Sequence, residues 1–269
     1  MATVLITGTT RGLGRYLREH LTAAGHTVYG SGRSALDGDQ RHLTLDVRRT
    51  DSAERAVQTV LEREGRLDVL INNAGSHLLG AATETSEAEL RDQLELNFYG
   101  AVNMMRAAVP HLLERRAGRI INVSSVGGRF ATPFASAYAA SKFALEGYTE
   151  ALRLELLPFH VFVSNLSPGF LATGTTDTSV VPVKRDDPRY LGARRAVFER
   201  MLVDGAAGTP LAKVAHVIDG IVAARRPRFR YSVDGLATRL TLARLFSPAG
   251  TFEQVVTKQT APGLLEVAS

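Results

Sequence analysis

The chain has 269 residues, 45% of them hydrophobic and 22% charged, the balance of an ordinary globular protein. It has no cysteine, which excludes disulfides, a thiolate nucleophile and cysteine-bound zinc. The net charge is +5 and the isoelectric point about 9.7. The densest basic run, Arg225-Arg226-Pro227-Arg228-Phe229-Arg230, continues so that Phe229, Tyr231 and Val233 alternate with Arg228, Arg230 and Ser232. That alternation reads as a half-buried strand, so no nucleic-acid partner is expected.

Met1 to Gly8 enters a strand at once, with no basic stretch ahead of an apolar one, so no signal peptide is expected. No apolar run approaches the ~20 residues that span a bilayer, and a cytoplasmic protein without a membrane span is the expectation.

Short apolar runs follow in order: Val4–Ile6, Thr27–Tyr29, Leu43–Leu45, Leu67–Asn72, Arg119–Val123, Val161–Leu166 and Arg230–Val233. Amphipathic stretches lie between most of them, at Leu13–Ala24, Ser52–Glu64, Ser86–Arg115 and Ser136–Leu157. Ser86 and Glu89 form a capping box at the start of the third stretch. The link Ser34–Arg41 is too short for a full helix. Such alternation predicts an α/β fold, a doubly wound parallel seven-stranded sheet of Rossmann type with helices on both faces. One domain over residues 1–269 is expected. Phe170–Pro210 is the least regular part, with a helical piece near Ala193–Leu202, and reads as a substrate lid.

The turn Thr7-Gly8-Thr9-Thr10-Arg11-Gly12-Leu13-Gly14 links the first strand to the first helix. Glycines let the backbone approach a pyrophosphate closely, and the helix start offers free amides to the anion. An NAD site wants a carboxylate at the end of the second strand. Here Tyr29-Gly30-Ser31-Gly32-Arg33-Ser34 carries no acid before Asp37, while Arg11 and Arg33 offer guanidinium groups suited to a phosphate. NADP(H) is therefore the expected cofactor.

Tyr138 and Lys142 stand four apart on a helix, hence on one face. An ammonium beside a phenol favours the phenolate and fits the pair for acid–base work. Ser125 ends the strand-like Ile120–Ser124 run and places a hydroxyl nearby. His77 lies near the predicted active-site mouth as a candidate to touch substrate, with a loop role the plainer reading; His160 precedes a strand and reads as structural. No His/Asp/Glu cluster suggests a metal.

Together these pieces resemble the short-chain dehydrogenase/reductase family along nearly the whole chain: Thr7-Gly8-x-x-x-Gly12-x-Gly14, Asp46-Val47, Asn72-Asn73-Ala74-Gly75, Asn97, Ser125, Tyr138-x-x-x-Lys142, and Pro168-Gly169 with Thr173. The resemblance implies a tetrad. Tyr138 would be the general acid and Ser125 would bond the substrate oxygen. Lys142 would lower the phenol pKa and hold the nicotinamide ribose, and Asn97 would hold a relay water. It further implies that Gly8, Thr10, Arg11, Gly12, Leu13, Gly14, Arg33, Asp46, Val47, Asn73, Ala74 and Gly75 line the cofactor, with Pro168, Gly169 and Thr173 beside the nicotinamide. Phe143–Gly147 and Arg230–Val233 are similar to members acting on hydrophobic alcohols, such as hydroxysteroid and retinol dehydrogenases.

The expected activity is hydride transfer between NADP(H) and a ketone, aldehyde or secondary alcohol of moderately hydrophobic character, with either direction open. Phe130, Phe134, Phe170, Leu171 and Val180–Val183 are candidates for an apolar pocket wall, or for packing of the lid. The alternative function is an NADP(H)-binding sensor or scaffold without turnover. A homodimer or homotetramer built through the long helices is implied by the resemblance.

Overall fold

The computed structural model describes residues 1–172 and 180–261. The elements run β1 (Thr3–Ile6), α1 (Gly12–Ala23), β2 (Thr27–Gly32), β3 (His42–Thr44), α2 (Thr50–Glu64), β4 (Val69–Asn72) and β5 (His77–Leu79). Next come α3 (Glu87–Leu94), α4 (Gly100–Arg115), β6 (Gly118–Val123), α5 (Ser136–Leu156) and β7 (Val161–Ser167). The chain continues through β8 (Val180–Pro182), α6 (Pro188–Ala206), α7 (Leu211–Ala223), β9 (Arg230–Ser232), α8 (Gly235–Phe246) and α9 (Ala249–Thr260).

Seven strands form one sheet in the order β3-β2-β1-β4-β6-β7-β9, every neighbour parallel. Both faces are covered, and strand side chains alternate between two cores. Leu5, Leu70, Ile120 and Val163 face α2, α4 and α5, while Val4, Ile6, Val69, Ile71 and Ile121 face α1 and α7. The direction of winding changes beside β1, whose neighbours are β2 and β4. Ligands of such sheets bind beyond the carboxyl ends of the strands at that point.

The predicted sheet and its seven strands are present, and no helix occupies Ser34–Arg41. Three features differ from the sequence reading. The single helix expected over Ser86–Arg115 is interrupted by a π-turn at Glu95–Tyr99, which contains Asn97. Its Ser86 capping box forms as expected, with the Glu89 amide donating to Ser86 Oγ at 3.3 Å. Second, β5 and β8 pair as a small parallel sheet that joins the stretch before α6 to the chain just after Gly75. Third, α8 and α9 extend the chain past its last predicted strand. Phe252 and Val256 of α9 pack on Phe130.

Buried polar groups stitch the sheet to α5. Asn72 Nδ2 donates to Asn122 Oδ1 at 2.8 Å, and Asn122 Nδ2 donates to Thr149 Oγ1 at 3.0 Å. Asn122 and Thr149 are fully buried. Thr149→Val keeps the shape but removes the acceptor, and an unmet buried donor costs about 1–3 kcal/mol. Thermal unfolding is expected to drop by roughly 2–4 °C per kcal/mol lost. An unchanged Tm for this variant would contradict the network's contribution.

Candidate active site

The turn after β1 is shaped by glycine. Gly8 has φ +70° and Gly12 φ +54°, a region that side chains disfavour. A Cβ on Gly14 would lie 2.2 Å from the Gly8 carbonyl oxygen and 2.5 Å from Asn73 Nδ2. Arg11 precedes α1 in extended conformation and gives the helix no side-chain cap, so its first amides are left for another partner. The next wall is fixed by the Thr7 hydroxyl, which accepts from the Asn73 and Ala74 amides at 3.0 Å each. Asn73 Nδ2 returns bonds to the Thr7 and Gly8 carbonyls at 2.9 and 3.0 Å. Thr10, Arg11 and Arg33 are exposed around this cradle, while Leu13 is buried beneath it.

Asp46 and Val47 follow β3. Arg48 grips the Asp46 carboxylate in a fork, Nε to Oδ1 at 2.9 Å and Nη2 to Oδ2 at 2.6 Å. That bond, opposed by partial burial and aided by the charge of Arg33, keeps its carboxyl below the usual range. Val47 is buried, and its carbonyl accepts from Asn103 Nδ2 at 3.0 Å.

The second cluster forms where β6 and α5 meet. Ser125 begins a short 3₁₀ turn, Val126–Gly128, and its Oγ accepts the Gly127 amide at 3.0 Å. Gly127 brings the two predicted groups together. A Cβ there would stand 2.9 Å from Tyr138 Cε1 and 3.5 Å from Ser125 Oγ. Lys142 Nζ donates to the Val123 carbonyl at 2.9 Å and lies 5.9 Å from the Tyr138 ring centroid. Burial pushes the Lys142 ammonium down to about 8, although the Glu146 carboxylate opposes the shift.

Asn97 is 2% exposed and reaches the same cluster from the π-turn. Its Nδ2 donates to the Ser76 carbonyl at 2.9 Å and to Ser141 Oγ at 3.0 Å, and its Oδ1 accepts the Ser76 amide at 3.0 Å. Ser141 Oγ in turn donates to the Tyr138 carbonyl at 2.7 Å. A Cβ on Gly75 would crowd Asn97 Oδ1 at 3.1 Å.

Pro168 and Gly169 form the adjoining turn. The Pro168 carbonyl accepts the Val126 amide at 3.0 Å, tying this turn to that of Ser125. Thr173 lies outside the described residues.

Several contacts had no clear sequence signal. The His77 ring stacks on Tyr138 with centroids 4.0 Å apart and planes 4° apart. Asp234, just past β9, accepts the Gly169 amide at 2.9 Å, and a Cβ on Gly169 would stand 2.7 Å from Asp234 Oδ2. His160 is exposed at a loop corner with φ +58°. Of the residues weighed as pocket wall, Phe130 is buried against α9, Phe134 against α6, and Val183 against β5 and α5. They are therefore not a free wall. Phe170 stays 43% exposed. Among the described residues no group of three His, Cys, Asp or Glu could hold a metal, and no helix is long and apolar enough to cross a membrane.

A buried lysine couples site to stability. Unfolded, Lys142 keeps its proton up to about 10.5; folded, only to about 8. Between those values the unfolded chain binds more protons, so stability rises with pH across that window. Lys142→Met is expected to raise Tm at pH 7, with the gain shrinking as pH rises from about 8 towards 10.5. A lower Tm at pH 7, measured by calorimetry, would contradict the burial cost.

Comparison with known proteins agrees with this geometry. Residues 2–181 match the family model for short chain dehydrogenases. A 3-ketodihydrosphingosine reductase of Bacteroides thetaiotaomicron is 38% identical over 236 residues, covering 87% of this chain and 88% of that protein. Human retinol dehydrogenase 8 is 31% identical over 270 residues, covering 93% and 86%. Among solved structures, a short-chain dehydrogenase from Streptomyces avermitilis is 34% identical with a TM-score of 0.82, covering 92% of this chain and 93% of that one. A short chain dehydrogenase from Burkholderia cenocepacia J2315 in complex with NADP is 26% identical with a TM-score of 0.70, covering 96% and 97%. The chain belongs to the short-chain dehydrogenase family, and is an oxidoreductase that acts on CH–OH and C=O groups of small molecules with a nicotinamide cofactor.

Proposed function

We propose that the protein is an NADPH-dependent reductase of a ketone or aldehyde carried on an apolar skeleton, running as an alcohol dehydrogenase when the redox poise reverses. The observation that carries this reading is the meeting of Ser125 Oγ and the Tyr138 ring over Gly127, with the buried Lys142 behind them.

The cradle fits a dinucleotide. Gly14 has no room for a Cβ, and the first turn of α1 is uncapped by any side chain. Gly8, Gly12, Leu13 and Gly14 would hold the pyrophosphate against that helix start. Asn73, Ala74 and Gly75 would line the next stretch, with Asp46 and Val47 at the adenine. Pro168 and Gly169 would flank the nicotinamide. Thr10, Arg11 and Arg33 surround the place where a ribose phosphate would lie, which favours NADP(H) over NAD. The bound nicotinamide supplies hydride to the carbonyl carbon, or accepts it in the reverse direction.

The residues do the rest. Negative charge grows on the carbonyl oxygen, and the Tyr138 phenol donates its proton there. Ser125 already accepts from the Gly127 amide, so its hydroxyl hydrogen is left to bond the same oxygen. Lys142 spends one N–H on Val123 and has two more for a ribose hydroxyl, while its charge stabilises the phenolate. Both amide hydrogens of Asn97 are committed to Ser76 and Ser141. A relay water there binds through Asn97 oxygen atoms, and the side chain also fixes the helix turn bearing Tyr138.

The names of two relatives support the substrate class. The names 3-ketodihydrosphingosine reductase and retinol dehydrogenase both describe an oxygen function on a long apolar skeleton. Phe170, two residues past Pro168 and 43% exposed, supports an apolar substrate here. Tyr99 at the end of the π-turn before α4 and Leu154 on α5, 48% and 66% exposed, offer surface for the expected homo-oligomer.

Two measurements test the assignment. With NADPH and a panel of long-chain ketones, Tyr138→Phe is expected to lose about 10²–10⁴-fold in kcat while still binding NADPH; near-wild-type kcat would sink the role of the phenol. Arg33→Asp is expected to cut the NADPH-over-NADH ratio of kcat/KM by roughly tenfold or more, since a charged hydrogen bond is worth about 1.5–3 kcal/mol. An unchanged ratio would remove Arg33 from the phosphate.

A further inference from the structure

Glu146 lies one turn beyond Lys142 on α5 and is 5% exposed. A carboxylate at that depth needs partners. It has three, each on a different element. Oε2 accepts from Arg129 Nη1 at 3.4 Å and from Arg230 Nε at 3.2 Å, and Oε1 accepts from Ser167 Oγ at 3.4 Å. Arg129 closes the 3₁₀ turn that starts at Ser125. Ser167 ends β7 immediately before Pro168, and Arg230 opens β9. Gly128 packs on the stem of the acid, where a Cβ would stand 3.1 Å from Glu146 Cγ and 3.1 Å from the Lys142 carbonyl.

We propose, resting on the reductase reading above, that Glu146 is a positioning residue. It clamps the Ser125 turn and the Pro168 turn onto the helix bearing Tyr138, and its negative charge holds Lys142 as an ammonium in dry surroundings.

The charges around this pair are few. Lys142 faces Tyr138 and Glu146 on its own helix and the Val123 carbonyl at the end of β6. Glu146 faces Arg129 from the turn and Arg230 from β9, and Arg230 also bonds Glu150 Oε2 at 2.9 Å. Without the Glu146 charge, Arg230 keeps its bond to the exposed Glu150, while Arg129 loses its ion pair and Lys142 the carboxylate one turn away. The ammonium is then the group that gives way, because burial already draws its proton off and Glu146 is what opposes this.

Glu146→Gln keeps the shape and the acceptor but deletes the charge. The chain holds four lysines, so the side-chain amine signals of the cofactor-free protein are separable by NMR, with Lys142 assigned by its loss in Lys142→Met. Lys142 is expected to lose its proton at lower pH in Glu146→Gln than in wild type. With a ketone that the wild type reduces, the fall of kcat/KM at high pH is expected to start at lower pH than in wild type, and KM for NADPH to stay near wild type. Arg129→Met keeps the acid but cuts the clamp and removes a neighbouring positive charge. It should lower kcat while moving the Lys142 titration up, which a general loss of packing would not do. An unmoved Lys142 titration in both variants would overturn the proposal. A wild type that turns over no ketone would instead count against the reductase reading, while the amine titration, read without turnover, still decides the hold of Glu146 on Lys142.

Discussion

A lysine ammonium 6% exposed, at the carboxyl end of a parallel sheet, is the constraint on which this active-site region depends. Water would hold that charge far better than protein does, and burial alone draws its proton away. The surroundings answer locally. The Val123 carbonyl accepts one N–H, and a carboxylate one helical turn away restores part of the lost stabilisation. Tyr138 shares that helix face and sits 5.9 Å from the ammonium, so the arrangement that tolerates the charge also lends it to a phenol.

The sheet explains why these groups meet. Parallel strands place all their carboxyl ends on one edge, and the strand order puts β1, β4, β6 and β7 side by side there. Each contributes one turn: Gly8 after β1, Asn73–Gly75 after β4, Ser125 after β6 and Pro168-Gly169 after β7. The turns are linked to one another by backbone and side-chain bonds, such as Asn73 to Thr7 and Val126 to Pro168. A site built this way is held rigid before any ligand arrives, which is what orientation of a hydride donor against a carbonyl requires.

Much of this was legible in the sequence, and the reasons are physical. Apolar runs buried on both faces leave a strong signal, and so the strands Val4–Ile6 and Arg119–Val123 fall where the composition put them. Close backbone approach demands glycine, so the turn from Gly8 to Gly14 could be read directly. What escaped depended on tertiary pairing. The β5–β8 sheet is three residues per strand and forms across a long separation, without local alternation to announce it. The π-turn at Glu95–Tyr99 lies in ordinary helix-forming sequence. Phe130 and Phe134 look alike as candidate pocket wall and as packing, and only the positions of α9 and α6 show them to be packing. His77 could be placed near the mouth, yet its stacking on Tyr138 follows from the path of β5, which no spacing encodes.

The central claim is that the cluster at Gly127 reduces a carbonyl with hydride from NADPH. NADPH dideuterated at the nicotinamide C4 position, supplied with a long-chain 3-ketone, tests it directly through mass spectrometry of the alcohol. One deuterium on the carbinol carbon, formed by the wild type and nearly lost with Tyr138→Phe, is the required result. Alcohol free of label, or label transferred equally well by Tyr138→Phe, would contradict it.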